Sequence, residues 1–138
     1  ALEPAINLDQ FPNTVVDVFI IIPQADAGTR CAGITAAAMA LADAGIPMRD
    51  LVGAVSVGKV KGKIVVDLSK EEEDYEETTD MPVAIMPRNN EITLLQLDGD
   101  MSDSDIKEGI TLANEAISKI YELQKKALKD KYREIKND

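Results

Sequence analysis

The chain has 138 residues, 45% of them apolar and 29% charged, which suits one folded unit and is too hydrophobic for a disordered segment. Its formal net charge is −10, and it contains no histidine, no tryptophan and one cysteine. A Ser-His-Asp triad, a Cys-His pair, a histidine-ligated zinc and an internal disulfide are thereby excluded, and acid-base chemistry falls to carboxylates, Lys, Tyr or Cys31. Cysteine usage gives no sign of an oxidising compartment, and the apolar runs are strand-sized, so a cytoplasmic protein with no membrane span is expected. The absence of an initiator Met is what a processed or truncated chain would show.

The charge is unevenly spread. Between Asp67 and Asp80 lie eight acidic residues and one Lys, a local charge of −7, whereas Lys119 to Lys136 holds seven basic residues against three acidic ones. Whole-chain charge therefore says little about nucleic-acid binding.

Ala1 to Asn13 reads as a short irregular or helical lead-in broken by Pro4 and Pro12. Thr14 to Ile22 (TVVDVFIII) is β-branched and almost continuously apolar, the pattern of a buried central strand, and stops at Pro23. Gln24 to Gly28 is a turn. Thr29 to Ala44 is Ala-rich and free of proline, with Gly45 placed to end a helix and Pro47 just beyond. Leu51 to Val60 and Lys63 to Leu68 flank Lys61-Gly62 as a hairpin. Asp67 to Thr79 is an acidic loop with room for a helical turn. Asp80 to Met86 and Glu91 to Leu97 are two further strands, joined through Pro87-Arg88-Asn89-Asn90. From about Ser102 to Ile135, apolar residues at 106, 110, 113, 117, 120 and 121 mark one face of a long helix with Ser102 or Asp103 as N-cap. Past Leu123 the pattern thins among lysines, so that end is expected to project or to pack on a partner. The order is that of an α+β domain over residues 1–138.

Two stretches carry residues suited to chemistry. Gly28-Thr29-Arg30 sits between a strand and a helix N-terminus, where unpaired backbone N–H groups attract anions and Arg can grip a phosphate. On spacing alone, a plain strand-to-helix turn is the commoner meaning of such a tripeptide. Asp74 and Asp80, six residues apart at the head of a strand, could hold a divalent cation or split into an ionised ligand and a proton donor; the commoner meaning is a solvated charge run. Cys31 reads more readily as a small packing residue than as a stabilised thiolate, and Asp17 as a structural polar residue.

The stretch IIIPQADAGTRCAGITAAAMALADAGIPMRDLVGAVSVGKV resembles the C-terminal half of the RNase PH family, whose phosphate loop has a Q-A-D-G-G-T-R-like form before an Ala-rich helix. Ala27 stands where many bacterial relatives have a second glycine. DYEETTDMPVAIM, at 74 to 86, looks like that family's D-x5-D-M pattern, and ADAGIPMRDL with the Lys-rich helix looks most like the archaeal exosome branch. The likeness runs from about Pro12 to Ile135. It implies an RNase PH-like (ribosomal protein S5 domain 2-like) mixed sheet with packed helices, with a comparable, RNA-gripping N-terminal half of the fold absent from this chain. It also implies a phosphate-dependent 3′→5′ exoribonuclease that releases nucleoside diphosphates. Gly28, Thr29 and Arg30 would then bind inorganic phosphate, the co-substrate. Asp74 would be the catalytic acid and Asp80 the second carboxylate of a Mg2+ (or Mn2+) site. RNA, a homologous inactive RNase PH-like subunit in a hexameric ring and RNA-binding cap proteins would be the partners. A non-catalytic structural subunit of such a ring is the alternative, although a scaffold has no reason to keep both motifs. An acidic metal-binding domain unrelated to RNA would explain only the loop.

Overall fold

The computed structural model describes residues 1–134; Ile135, expected at the end of the last helix, lies outside the described residues. Two 3-10 turns, Glu3–Ala5 and Leu8–Gln10, open the chain. They are followed by α1 (Thr29–Asp43), β1 (Gly53–Val60), β2 (Lys63–Val66), α2 (Lys70–Glu73), β3 (Met81–Met86), β4 (Glu91–Leu95) and α3 (Asp103–Glu134). The strands form one sheet in the order β2-β1-β3-β4, and all three ladders are antiparallel. The α+β class follows from the sequence pattern. So does the β1–β2 hairpin, whose central residues Lys61 and Gly62 both have positive φ, the turn that matches strand twist.

The pleat sorts side chains to two faces. Even-numbered Ala54, Ala84 and Met86 pack with Cys31, Ile34 and Ala38 of α1, while odd-numbered Val55, Val57, Met81, Val83 and Ile85 pack with Ala113 and Ile117 of α3. A helix on each face explains why β1 and β3 are buried almost throughout despite belonging to an antiparallel sheet. Small residues bring α3 close: a Cβ on Gly53 would stand 2.8 Å from Ile117 Cγ2. Ser102 caps α3 reciprocally with Asp105, accepting from its N–H at 3.2 Å and donating its own N–H to the carboxylate at 3.3 Å.

Two expectations are corrected. Thr14 to Ile22 forms no strand: Phe19 is 88% and Ile21 85% exposed. A buried strand needs ladder partners, and no described residue pairs with this segment, so its apolar pattern has no sheet to join. Its even-numbered side chains are the better covered, and Ile20 Cγ2 lies 3.1 Å from the position of a Cβ on Gly33 in α1. The described end of α3 does not project free of the domain. Lys131 Nζ bonds the Asp43 carboxylate at 2.6 Å and Tyr132 donates to the Asp43 carbonyl at 3.0 Å, pinning α3 to the end of α1. No helix among the described residues is long and apolar enough to cross a membrane.

Candidate active site

Gly28 is the N-cap of α1 and adopts the left-handed conformation (φ 62°, ψ 18°), which a residue without Cβ reaches without strain. No side chain caps this helix, and its first intrahelical bond joins the Ala32 N–H to the Gly28 carbonyl at 3.1 Å. The N–H groups of Thr29, Arg30 and Cys31 therefore stand at the positive end of a 15-residue helix without an intrahelical acceptor, the arrangement that attracts anions. Arg30 reaches across to the sheet and donates to Gln96 Oε1 at 2.5 Å.

Asp80 sits at the head of β3 on the same even-numbered face that α1 covers. Its backbone is bonded in both directions to Asp98, at 3.0 and 2.8 Å, and its Oδ1 accepts from the buried hydroxyl of Ser56. Cys31, in the first turn of α1, is buried. Its thiol is pushed up to about 11, chiefly by burial and then by the negative charge of Asp80, with the Arg30 guanidinium opposing. A thiol so raised stays protonated at neutral pH and is a poor nucleophile there.

Asp74 ends α2, a single turn held by a reciprocal capping box between Ser69 and Glu72. Its carboxylate is exposed and bonded to Lys70 Nζ at 2.5 Å, which raises the Lys70 pKa. The backbone N–H of Lys70 in turn points at the Asp26 carboxylate, 3.4 Å away, so α2 leans on the loop that leads into α1. A cavity at the head of β3 is lined by Lys70, Glu73, Thr78, Thr79, Asp80, Asp98 and Gly99. The first turn of α1 reaches the strand headed by Asp80 through Arg30 and Gln96, whose N–H donates to the Pro82 carbonyl, whereas Asp74 reaches this region through Lys70 rather than by lining the cavity.

Among the described residues no three His, Cys, Asp or Glu side chains converge as a ready metal cage. A hard cation of the Mg2+ type, held by one or two carboxylates together with waters and substrate phosphate, fits Asp80, which lines the cavity, while Asp74 lies outside that lining. Asp80 and Asp74 each have one oxygen engaged by a donor and one free of any side-chain donor. Sequence reading missed Ser56, Lys70 and Gln96. The four-residue spacing from Lys70 to Asp74 was a readable signal; Ser56 and Gln96 join the site only through sheet register.

Residues 1–47 match the description "3' exoribonuclease family, domain 1" and residues 50–116 match "3' exoribonuclease family, domain 2". The chain is 58% identical over 135 residues to the exosome complex component Rrp41 of Pyrococcus furiosus, covering 98% of this chain and 54% of that protein. It is 53% identical over 138 residues to the Rrp41 of Nitrosopumilus maritimus, covering all of this chain and 56% of that one. The chain thus spans about half the length of the curated relatives it matches. Its fold is also similar to the crystal structure of rice Rrp46, with a TM-score of 0.70 at 25% identity over 75% of this chain and 49% of the other. With both domain descriptions matched in order, and the sheet and helices arranged as in a solved relative, the chain belongs to the RNase PH family of 3′ exoribonucleases.

Proposed function

We propose that this chain carries the reaction centre of a phosphate-dependent 3′→5′ exoribonuclease, the phosphorolytic subunit of an exosome ring. The observation that most favours this reading is that Arg30, in the first turn of α1, bonds Gln96, whose N–H donates to the carbonyl of Pro82, two residues from Asp80, at 3.1 Å. An anion-attracting helix start beside a carboxylate is what a reaction between inorganic phosphate and an RNA end requires.

Inorganic phosphate binds the open N–H groups at the start of α1 and the Arg30 guanidinium, which still has donors left beside its bond to Gln96. Gly28 leaves room for it: the nearest atom to a Cβ placed there is Asp67 Oδ1, at 3.9 Å. A phosphate oxygen attacks the phosphorus of the last phosphodiester, the bond to the penultimate 3′ oxygen breaks, and that oxygen takes up a proton. The last nucleotide leaves as a nucleoside diphosphate. Asp74, as the acid, would deliver the proton that the departing oxygen takes up, and Lys70 at 2.5 Å orients its carboxyl group. Asp80 and Asp74 would hold Mg2+ or Mn2+ through their free oxygens, and the bound cation would neutralise charge on the leaving oxygen.

RNA, an inactive RNase PH-like subunit completing a hexameric ring, and RNA-binding cap proteins are the partners this reading assigns. The exposed side chains of Val15, Phe19 and Ile21 are assigned to contacts with further RNase PH-like structure. The test is RNA shortening by the full-length subunit in its ring as phosphate is varied. Shortening should saturate with phosphate and stop without it; nucleoside monophosphates released independently of phosphate would refute the assignment and leave a hydrolase, and no shortening at any phosphate concentration would leave a structural subunit.

A further inference from the structure

We propose that Ser56 is a positioning residue: its hydroxyl fixes the Asp80 carboxylate so that one oxygen is tied down and the other is held ready for a divalent cation. The inference rests on the reaction proposed above. Ser56 is 2% exposed and sits in the middle of β1 between the buried Val55 and Val57, a place where an apolar side chain would ordinarily be found. A buried hydroxyl needs a partner, and the partner here is Asp80 Oδ1. The two residues share the even-numbered face of adjacent strands, with Ser56 opposite Pro82 in the ladder. The paired bonds to Asp98 hold the Asp80 backbone, so the Ser56 hydroxyl supplies what they leave undetermined, the rotation of the carboxylate. The Ser56 carbonyl also accepts from the Asp67 N–H at 2.8 Å, and Asp67 borders the Gly28 position. One strand residue thereby links the carboxylate to the loop assigned to phosphate.

The experiment uses the full-length subunit in its ring, with Mn2+ alone as probe and free Mn2+ read by electron paramagnetic resonance without RNA. Partners that orient a metal-binding carboxylate are worth roughly 10- to 100-fold in affinity, so Ser56→Ala should weaken Mn2+ binding by about 10-fold or more. Ser56→Thr, which keeps the hydroxyl, should restore it, and the phosphate KM should stay near the wild-type value in both. Unchanged Mn2+ affinity in folded Ser56→Ala would overturn the proposal. Should Ser56→Ala fail to assemble, Ser56→Cys fills the same space with a weak donor, and wild-type Mn2+ affinity in it would equally overturn the proposal. Asp80→Asn separates the two readings. If it stays fully active, the reaction assignment itself fails; if it is inactive while Ser56→Ala binds Mn2+ normally, only the role of Ser56 fails.

Discussion

The carbonyl oxygen of Thr79 occupies the space where Gly58 would carry a side chain: a Cβ built on Gly58 falls 2.1 Å from it and 2.8 Å from Leu68 Cδ2. Thr79 precedes Asp80, and it is clamped to β1 from both sides. Its hydroxyl accepts from the Lys59 N–H at 2.9 Å and its own N–H donates to the Lys59 carbonyl at 3.3 Å. The bare backbone at Gly58 is therefore a condition for where Asp80 stands. Gly58→Ala must push Thr79 outward, and overpacking of this kind costs about 1–3 kcal/mol. Urea denaturation should show that loss. At a temperature well below the unfolding midpoint, phosphorolysis should still fall, because Asp80 moves with Thr79; a destabilised variant with full activity would separate Gly58 from the site.

Arg30→Ala should raise the phosphate concentration needed for half-maximal rate by roughly 10- to 100-fold, the loss expected for a hydrogen bond to a charged group. RNA affinity of the ring, measured by fluorescence anisotropy, should change little. The opposite pattern, lost RNA binding with phosphate saturation intact, would show that Arg30 serves the RNA.

Asp74→Asn tests whether one carboxylate in the −7 segment differs from its neighbours. Removing a proton donor or an anionic metal ligand should slow phosphorolysis by about 100-fold or more. Glu76→Gln, a change of the same size and charge two residues away, should leave the rate near wild type. Thermal midpoints of both should stay close to wild type, because the Lys70–Asp74 pair is exposed and such pairs contribute little to stability. Equal rates for the two variants would reduce the acidic stretch to a surface feature.

The elements that can be read along the chain are those whose signals are local. The Lys61-Gly62 turn, the Ala-rich α1 ended by Gly45 and the 3-4 spacing of α3 each sit within a dozen or so residues, and each forms where the pattern puts it. TVVDVFIII carries an equally plain strand pattern, but a strand is a relation between two segments, and no described segment pairs with this one. The site divides the same way. Gly28-Thr29-Arg30 and Asp80 stand out as short motifs. The Ser56 bond to Asp80 depends on the β1–β3 register and the Arg30 bond to Gln96 spans 66 positions, which no local pattern encodes. Docking of α3 onto α1 through Lys131, Tyr132 and Asp43 is invisible for the same reason.

Cys31 gives a pH signature at the alkaline end. Its thiol is raised to about 11 in the folded state by burial and by Asp80, so unfolding lowers its pKa and frees it to ionise. The stabilisation is complete below the unfolded thiol value and is lost as pH rises through that value towards about 11. Thermal midpoints of wild type should decline across that window, and those of Cys31→Ala should decline less. At neutral pH the native thiol should react with a thiol-specific disulfide reagent only on unfolding; rapid native-state reaction would contradict its burial.

The fate of inorganic phosphate bears most directly on the chemistry assigned to Arg30, Asp74 and Asp80. The full-length subunit in its ring is incubated with RNA and radiolabelled orthophosphate, and the released nucleotides are separated. Phosphorolysis requires the label to appear in the β-phosphate of nucleoside diphosphates, one for every nucleotide removed, and Arg30→Ala should lower that incorporation at limiting phosphate. Unlabelled nucleoside monophosphates, formed at the same rate with or without phosphate, would contradict it.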